Sequence, residues 1–400
     1  MNKNTNTNLQ RKILFVIPTL ANGGAERILS NIACAFPKEY ELSVLLNSVS
    51  KDDFPFNGKI ICMGMKPQIK KSIYYQMKAF ILRYKYLNRL RKENEYDAVI
   101  SFSDTANVAN ILTRKGSGKT ILSVHIYISE WKSFTYKYIV GPLVKLLYNK
   151  SDKIVAVSKD IERDLAETFN IKKEKITTIN NGVKINKKKK QNTGTVKKDT
   201  FRFITMGRLV DQKATWHLIR AFNMVIKSCN KAELVILGEG VNREYLTRLI
   251  EALDLNTRVR LKGFVNNISE ELAEADCFVL TSLFEGFPMS LCEAISNGLP
   301  VISTDFISGS RDIIAPGFEG PQLSHEIRIE KYGILTPKCS GIHYSAEDEL
   351  EIQEECLAEA MLRLMNDTEL RNGYIEIAPE SIERFSINKC VDQWLKVINE

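Results

Sequence analysis

Three features that would define a class of protein are absent from this 400-residue sequence. No segment approaches the run of about 18 apolar residues that a membrane span needs, which excludes a membrane channel. The eight cysteines never form a C-x-x-C pair, so the sequence predicts reduced core thiols rather than a metal or redox site. The first residues are polar and lack the apolar stretch of a secretory signal, and the chain is therefore expected to stay in the cytoplasm.

The length and the distribution of charge are more informative than the overall composition. Four hundred residues exceed what one hydrophobic core usually serves, so two domains of roughly 150–200 residues are expected. The net charge of +8 conceals a division, because residues 1–198 contain 36 basic and 16 acidic residues while residues 199–400 contain 20 and 32. The two halves, at +20 and −12, are expected to face different partners.

Short apolar runs of strand length alternate with segments of helical apolar spacing along both halves. The predicted strands are 12–17, 41–46, 98–102, 120–125 and 153–157, then 201–206, 232–237, 259–261, 277–281 and 300–303. This alternation predicts an α/β fold with parallel sheets, as two Rossmann-like domains in tandem. A lysine-rich linker is predicted at 185–200 between a first domain, 1–184, and a second, 201–384. A last helix at about 385–400 is expected to pack back onto the first.

The loop after the first predicted strand contains Gly23 and Gly24. Adjacent glycines allow backbone amides at a helix N-terminus to approach a phosphate or a sugar. The full G-x-G-x-x-G dinucleotide fingerprint is missing, however, and a tight turn that needs positive φ explains the two glycines equally well.

A more specific loop, Gly207-Arg208-Leu-Val-Asp-Gln-Lys213, follows the first strand of the second half. Open α/β sheets bind ligands at the carboxyl ends of their strands, where this loop offers a guanidinium and an ammonium. The pair suits a diphosphate and could stabilise the charge on a departing nucleoside diphosphate without a metal. Ordinary solvated side chains on a surface loop are the alternative.

A third candidate is the segment Glu285-Gly286-Phe287-Pro288, followed by Glu293. Pro288 is predicted to be the first residue of a helix, where its missing N–H costs nothing, and to leave Gly286 and Phe287 with free amides. The two glutamates can then direct their carboxylates to one crevice, where they suit sugar hydroxyls. A capped amphipathic helix with one exposed acid is the alternative.

Arg208-x4-Lys213, followed about seventy residues later by Glu285-Gly-Phe-Pro-x4-Glu293, resembles the donor site of retaining GT-B-fold glycosyltransferases of the family-4 kind. Thr19-Leu-x-x-Gly-Gly-Ala-Glu-Arg27 and the segment 101–110 resemble the subset that builds bacterial surface polysaccharides and lipid-linked oligosaccharides. The resemblance implies two Rossmann-like domains that face each other across a deep cleft. The first would be on the acceptor side, and the second would bind the nucleotide-sugar donor.

The resemblance also implies roles for individual residues. Arg208, Lys213 and Glu285 form the expected catalytic set, in which the two cations hold the donor diphosphate and Glu285 holds the transferred sugar. Further donor contacts are expected from Gly207, from the amides of Gly286, Phe287 and Pro288, from Glu293 at the ribose, from Phe264 and Val265 at the base, and from His125 at the sugar. Gly23 and Gly24 would lie near the phosphates and the acceptor.

No metal and no cofactor are expected, since the D-x-D metal site of the other large glycosyltransferase architecture does not occur in the sequence. The resemblance implies retention of anomeric configuration, with the leaving diphosphate helping to deprotonate the attacking hydroxyl. The chain departs from the family pattern at 308–312 and in a longer connection at 318–331, which affects the expected sugar or acceptor selectivity rather than the reaction class.

The basic first half carries a separate signal. Nine basic residues and no acidic one lie between Lys66 and Lys92. Apolar side chains at 73, 77, 80, 81, 84 and 87 recur with helical spacing, which predicts a basic amphipathic helix. Such a helix suits an anionic bilayer or the diphosphate of a lipid carrier, and 132–150 could add to that face. Packing of the apolar stripe on the sheet is the alternative; nucleic acid is not expected, because no nucleic-acid motif is found.

The sequence therefore predicts a cytoplasmic glycosyltransferase, peripherally attached to the inner leaflet of the cytoplasmic membrane through its basic first half. It would transfer a hexose or N-acetylhexosamine from a nucleotide sugar, expected to be UDP-linked, to a polyprenyl-diphosphate-linked saccharide in capsule or O-antigen synthesis. A catalytically silent carrier-binding subunit and another GT-B-like nucleotide-sugar enzyme, such as an epimerase, stay open as alternatives.

Overall fold

The chain divides into two compact units in the computed structural model. The first comprises Met1–Lys184 and Ile387–Glu400, and the second comprises Ile185–Ser386. The structure describes residues 11–21, 23–66, 72–114, 116, 118–131, 134–185 and 200–400. Most of the predicted linker, 186–199, therefore lies outside the described residues.

Seven strands form the sheet of the first unit: β1 (Arg11–Val16), β2 (Tyr40–Leu46), β3 (Lys59–Cys62), β4 (Ala98–Phe102), β5 (Lys119–Val124), β6 (Lys153–Ala156) and β7 (Ile176–Thr178). All are parallel, in the order β3-β2-β1-β4-β5-β6-β7. The central strand β4 is buried throughout, as expected for a parallel strand covered on both faces. The order reverses between β1 and β4, where open α/β sheets bind their ligands.

Five helices connect these strands: α1 (Gly24–Ala35), α2 (Ile73–Glu93), α3 (Asp104–Leu112), α4 (Gly141–Leu147) and α5 (Lys159–Arg163). A π-helical turn, Tyr136–Val140, precedes α4, and another, Asp164–Thr168, follows α5. Both α2 and α4 contact α3, so the three helices belong to one layer. Leu87 of α2 is fully buried in a core that includes residues of β1, β2 and β4.

The 101–110 motif supports this unit from within. Asn107 and Asn110 on α3 are fully buried. The amide of Asn110 donates to the carbonyl of Val99 at 2.9 Å, and that of Asn107 donates to the carbonyl of Ser123 at 3.2 Å. The motif therefore acts here by tying α3 to β4 and β5.

Seven strands also form the sheet of the second unit: β8 (Phe201–Met206), β9 (Ala232–Leu237), β10 (Val259–Gly263), β11 (Cys277–Leu280), β12 (Val301–Thr304), β13 (Arg328–Glu330) and β14 (Gly333–Thr336). Their order is β10-β9-β8-β11-β12-β14-β13, with the edge strand β13 antiparallel to β14. The order reverses between β8 and β11. The predicted α/β class is confirmed in both units.

The helices of the second unit are α6 (Thr215–Ser228), α7 (Arg243–Ala252), α8 (Ile268–Ala273), α9 (Met289–Ser296), α10 (Ser310–Ile314), α11 (Ile352–Asn366) and α12 (Thr368–Glu383). Alternate strand residues such as Phe203, Leu234 and Val279 form one core with apolar residues of α6, α7 and α11. This alternation follows from the two-residue period of a strand. The core leaves the loops at the carboxyl ends of β8 and β11 at the surface of the unit.

The last helix, α13 (Ile387–Asn399), belongs to the first unit. Trp394 is buried and lies against Phe102 with ring centroids 6.0 Å apart. Lys119 Nζ donates to the carbonyl of Ile398 at 2.9 Å. Among the helices of the described ranges, none is long and apolar enough to cross a membrane.

Candidate active site

The β8 loop, residues 207–214, contains the two predicted donor-binding cations. Arg208 is exposed, and its guanidinium makes no hydrogen bond or ion pair with a described residue. Lys213 ends a short 3₁₀ turn, and its ammonium contacts the carboxylate of Glu285. Gly207, Arg208 and Lys213 line one small concavity at the carboxyl end of β8. The loop therefore presents a paired and an unpaired cation to the same space.

Glu285 is held in a fixed orientation by groups from two loops. Its carboxylate contacts Lys213 Nζ and accepts a hydrogen bond from Ser282 Oγ at 2.7 Å. The side chains of Glu285 and Lys213 are only 13% and 16% exposed. Charge-assisted bonds of this kind are stronger than neutral ones, and partial burial reduces screening by water. The carboxylate of Glu285 is therefore oriented before any ligand arrives.

Further bonds join the β8 loop to the β11 loop, which comprises residues 281–288. Thr281 Oγ1 donates to the carbonyl of Lys213 at 3.0 Å. The N–H of Leu283 donates to the carbonyl of Gln212 at 2.8 Å, and Gln212 Nε2 donates to the carbonyl of Phe284 at 2.8 Å. Because β8 and β11 are neighbours in the sheet, residues about seventy positions apart in sequence form one structure.

The start of α9 corrects two expectations about Pro288. Pro288 is the residue before the helix, with a ψ of 87°, and not its first residue. Proline has no N–H, so Pro288 cannot donate to a sugar as the resemblance implied. The N–H groups of Gly286 and Phe287 can do so, since no described residue accepts a hydrogen bond from either. The ring of Phe287 is buried against Phe385, which leaves only its main chain for a ligand.

Two glycines that were not predicted, Gly238 and Gly263, bring the ends of β8, β9 and β10 together. A Cβ on Gly238 would lie 1.9 Å from the carbonyl oxygen of Gly207, and the φ of Gly238 is +131°. The N–H of Gly238 donates to the carbonyl of Gly263 at 2.7 Å. Only glycine permits the ends of β8, β9 and β10 to approach so closely. The available signal was a glycine at the end of three successive predicted strands.

The other predicted donor residues lie on neighbouring elements of the second unit. Glu293 is half-buried on α9. The pKa of the neighbouring Cys292 thiol is raised, mainly by burial and to a smaller extent by the negative charge of Glu293. Phe264 follows β10 directly and is 81% exposed, whereas Val265 is half-buried. A ring exposed to this degree contributes little to the core and is available for a planar ligand.

His125 lies at the end of β5 in the first unit. Its Nε2 is 2.8 Å from Ser123 Oγ, and its ring stacks on Phe102 with centroids 5.3 Å apart. Burial lowers the pKa of His125 to about 4. The imidazole is therefore neutral at physiological pH, where it can exchange hydrogen bonds with a ligand but carries no charge.

The alternative explanation for Gly23 and Gly24, a tight turn that requires positive φ, is wrong. Neither Gly23 nor Gly24 has a positive φ. Gly23 is extended, at a φ of −132°, and a Cβ there would lie 1.8 Å from Glu26 Oε2. A Cβ on Gly24 would meet no described atom within 4 Å. Gly23 thus lies beside the Glu26 carboxylate, whereas Gly24 borders open space.

The inner face of α2 differs from the predicted basic amphipathic pattern. Arg83 is 2% exposed and donates to Asn47 Oδ1 at 2.9 Å and to Thr105 Oγ1 at 3.0 Å. Burial lowers its pKa to about 10. Arg91 also turns inward and donates to Asn110 Oδ1 at 2.7 Å. Two of the nine basic residues are therefore structural, and two more, Lys70 and Lys71, lie outside the described residues.

The outer face of α2 is apolar and basic at once. Its exposed apolar residues are Tyr74, Met77, Ile81 and Tyr84, at 76%, 60%, 50% and 39%. The exposed basic residues beside them are Lys78, Lys85, Arg89 and Lys92. The alternative to a membrane-binding helix was that its apolar stripe packs on the sheet. Leu87 does so, but Met77, Ile81 and Tyr84 are exposed. A set of large exposed apolar residues on one helix marks an interaction surface.

A second group of exposed apolar residues lies on the turn before α4 and on α4 itself, within the same helical layer. Its members are Phe134, Tyr138, Ile139 and Leu146, at 73%, 56%, 51% and 68%. The sequence from 131 to 151 contains no acidic residue. We refer to the exposed residues of α2 and of this group together as the outer apolar-basic face.

One cluster in the described ranges brings together three side chains of metal-ligating type: His217, Cys339 and Glu351. Hydrogen bonds already occupy the imidazole, since Gly341 N–H donates to His217 Nε2 and His217 Nδ1 lies 2.7 Å from a Glu354 oxygen. Burial, followed by the acidic neighbours, raises the pKa of the Cys339 thiol well above its usual range. These contacts account for the cluster as part of the packing between α6 and the 339–351 segment.

Comparison with known proteins agrees with this architecture. Residues 22–187 match the family model described as Glycosyltransferase Family 4, and residues 186–324 match that of Glycosyl transferases group 1. An uncharacterized glycosyltransferase of Methanocaldococcus jannaschii is 32% identical over 359 residues, which cover 85% of this chain and 87% of that protein.

Two further similarities bear on the fold and the function. A Campylobacter jejuni N-acetylgalactosamine-N,N'-diacetylbacillosaminyl-diphospho-undecaprenol 4-alpha-N-acetylgalactosaminyltransferase is 29% identical, over 76% of this chain and 83% of that protein. The crystal structure of Anabaena HepE in complex with UDP and glucose superposes with a TM-score of 0.72 at 19% identity, over 98% of this chain and all of that chain. The chain belongs to the GT-B-fold glycosyltransferases of the family-4 type.

Proposed function

We propose that this glycosyltransferase transfers a hexose or an N-acetylhexosamine from a UDP-sugar to a lipid-linked saccharide, with retention of anomeric configuration and without a catalytic metal. The acceptor is a saccharide on a polyprenyl diphosphate, used for a surface polysaccharide such as a capsule or an O-antigen. The enzyme acts at the inner face of the cytoplasmic membrane, to which its first unit attaches peripherally.

The observation that carries this proposal is the joined pair of loops at the carboxyl ends of β8 and β11. Arg208 has a free guanidinium, Lys213 is oriented by Glu285, and Gly286 and Phe287 have free N–H groups. Cations placed in advance stabilise the negative charge that develops on a departing diphosphate, and the two N–H groups can donate hydrogen bonds to oxygens of the transferred sugar. Glu285 in turn can accept hydrogen bonds from the hydroxyls of the sugar that is transferred.

Further donor contacts are proposed on the basis of the resemblance to the family-4 motifs. Glu293 on α9 is proposed to bind the ribose, and the main chain at Phe264 and Val265 to bind the base. Neutral His125 is proposed to share a hydrogen bond with the sugar, and the open space beside Gly24 to admit a phosphate or the acceptor. UDP as the nucleotide is supported by the UDP in the Anabaena HepE structure.

The lipid-linked acceptor is supported by the Campylobacter relative, whose name describes transfer to a diphospho-undecaprenol saccharide. Attachment to the membrane is supported by the outer apolar-basic face. Basic residues beside exposed apolar side chains bind anionic bilayers, at about 1 kcal/mol for each Lys or Arg near the surface. The cytoplasmic leaflet carries the anionic lipid that such a face requires.

The donor reaction is tested with the purified full chain and a panel of UDP- and GDP-sugars, with release of nucleotide as the readout, in the presence and absence of a polyprenyl-diphosphate sugar. We expect UDP release to rise with the acceptor, and we expect Arg208→Ala and Glu285→Gln each to lower it by about 100-fold or more. Proton NMR of the product gives the anomeric configuration.

Arg248→Ala and Glu244→Gln are matched controls, because these two residues form an exposed ion pair with each other on α7. They should leave the rate and the melting temperature unchanged. Neither transfer nor donor hydrolysis with any sugar would contradict the proposal and favour a carrier-binding subunit. Loss of both activity and folding in Glu285→Gln would indicate a structural role for that residue.

Attachment to the membrane is tested by flotation with vesicles that contain 0% or about 30% anionic lipid, the latter resembling a bacterial inner leaflet. We expect binding only with anionic lipid, and expect the double variant Lys78→Glu/Lys85→Glu to abolish it. Lys172→Glu/Lys173→Glu is the matched control, because these two lysines are exposed on the first unit outside the outer apolar-basic face. Binding that is indifferent to lipid charge and to salt would contradict this part.

A further inference from the structure

The β12 loop, residues 305–310, packs directly against the β11 loop. Ser308 is fully buried, and its hydroxyl donates to the carbonyl of Gly286 at 2.6 Å. A Cβ on Gly309 would lie 2.6 Å from Pro288 Cδ, so the two loops are in contact at backbone level. Nothing in the proposed function uses this contact.

Ser308 bonds to the carbonyl of Gly286, and the N–H of the same peptide group belongs to Phe287, a residue of the proposed donor site. Gly286 C=O and Phe287 N–H share one planar trans peptide, in which the two groups point in opposite directions. A bond that fixes the carbonyl therefore also fixes the direction of the N–H. No described residue accepts a hydrogen bond from that N–H, so it is available to a ligand.

The backbone at Ser308 indicates that the hydroxyl is the reason for a serine at this position. Its φ is +83°, in the left-handed region that favours glycine and that other residues rarely occupy. Glycine would adopt this conformation without strain but has no hydroxyl to donate. Strain of this kind persists where the surrounding structure requires it, most often at functional sites.

The β12 loop is itself anchored by the segment that follows α10. Arg311 makes two hydrogen bonds of 2.7 Å to the Asp305 carboxylate and donates to the carbonyl of Pro321 at 2.9 Å. The N–H of Leu323 donates to Asp305 Oδ2 at 2.9 Å. The carboxylate of Asp305 is fully buried, which makes these charge-assisted bonds resistant to screening. The longer 318–331 connection thus serves as a support for the β12 loop.

We infer that Ser308 is a positioning residue for donor-sugar binding: through the Gly286–Phe287 peptide it directs the Phe287 N–H toward the transferred sugar. The inference rests on the proposed function. It concerns only the sugar, because the diphosphate is held by Arg208 and Lys213 on the other loop. Loss of the hydroxyl should therefore weaken the use of a nucleotide sugar and leave the binding of the free nucleotide unchanged.

The test compares Ser308→Gly and Ser308→Ala with the wild type. The glycine variant removes the hydroxyl and the strain together, so the relief of strain offsets part of the stability lost with the hydrogen bond and the variant is expected to fold. We expect both variants to lower kcat/KM for the UDP-sugar about tenfold, the loss typical of one buried hydrogen bond, while the Kd for UDP stays within about twofold. Ser310→Ala is the matched control, because Ser310 is equally buried in the same loop but donates to its own backbone, at Phe306.

Four outcomes would overturn the inference. Wild-type kcat/KM in Ser308→Gly would show that the hydroxyl is not needed, and an equal loss in Ser310→Ala would show a general effect of loop packing. Equal weakening of UDP and UDP-sugar would show that Ser308 does not act through the sugar. A wild-type protein that binds neither UDP nor any UDP-sugar would overturn the proposed function as well, which separates the two failures.

Discussion

The two units share a strand order but differ in the chemistry of their polar interiors. In both, the order reverses beside the first strand, at β1/β4 and at β8/β11. In the second unit, buried charges meet opposite charges, as in the Arg220–Glu354 and Arg311–Asp305 pairs. In the first unit, buried Arg83 meets only neutral oxygens, those of Asn47 and Thr105.

This difference shows that sheet topology determines where a site can form but not which side chains it contains. Where the second unit has charged and glycine-lined strand ends, the first has a neutral polar network and an exposed outer apolar-basic face. The net charges of the two halves, −12 and +20, follow the same division. Functional assignments therefore depend on which side chains converge at the strand ends, since many functions share one fold.

The largest effect on stability is expected from Glu354→Ala in the second unit, which tests whether its buried ion pairs matter more than the neutral network of the first unit. Glu354 is fully buried and lies between Arg220 and His217, so its removal leaves a buried guanidinium without its counter-charge. We expect a loss of about 3–5 kcal/mol in the free energy of unfolding. Urea denaturation measures it, with the exposed Glu244→Ala as the control, and a loss below about 1 kcal/mol would contradict the importance of this pair.

Arg83→Met in the first unit is expected to have a smaller effect. It removes two hydrogen bonds to neutral oxygens and at the same time relieves the desolvation of a cation that has no carboxylate partner among the described residues. We expect a loss of about 1–2 kcal/mol in the same urea experiment. A loss equal to that of Glu354→Ala would show that the two interiors are energetically alike.

A third effect is confined to acidic pH. The folded protein holds the pKa of His125 near 4, below its ordinary value of 6.5. Between pH 6.5 and pH 4, His125 binds a proton in the unfolded chain but not in the folded chain. The free energy of unfolding that His125 contributes above pH 6.5 is therefore lost as the pH falls toward 4. His125→Asn should reduce the fall in melting temperature of the first unit between pH 7 and pH 4.5. An unchanged fall would mean that His125 does not stay neutral.

The smallest expected effect concerns the strained backbone at the end of the β8 loop. Ala214 directly follows Lys213, is fully buried and has a φ of +46°. The left-handed conformation costs an L-residue about 1–2 kcal/mol, and glycine removes that strain. Because glycine also makes the unfolded chain more flexible, which offsets part of the gain, Ala214→Gly should stabilise the second unit by about 0.5 kcal/mol.

Calorimetry of Ala214→Gly measures this gain, and the rate of nucleotide release should be retained, since the position of Lys213 is unchanged. Ala221→Gly is the matched control, because Ala221 lies in the middle of α6, where glycine costs about 1 kcal/mol. Destabilisation in both variants would show that Ala214 is not strained.

Much of the fold was predictable because the central strands are continuous apolar runs. The strands around Phe203 and Ile100 lie where the sequence placed them. Four short strands, β3, β7, β13 and β14, were not predicted. The edge strands β3 and β13 are mostly exposed or half-buried, so they lack the continuous apolar run that marks a buried strand.

For the candidate site, the sequence motifs singled out Arg208, Lys213 and Glu285, and the structure brings Lys213 and Glu285 together. The inward direction of Arg83 was not predicted, because a basic residue on a helix is expected at the surface. The role of Ser308 was not identified either, since neither its φ nor its contact with Gly286 has a local sequence signal.

The sequence by itself determined the α/β class, the family and the loops that carry the donor motifs, because these depend on local apolar patterns and on residue types close together in the chain. Only the tertiary structure decided how these parts act together. It joined Lys213 to Glu285, placed Ser308 behind the Phe287 peptide and exposed Met77 and Ile81 while burying Leu87. Such contacts arise from strand order and from the packing of backbones, which bring together residues that no short stretch of sequence relates.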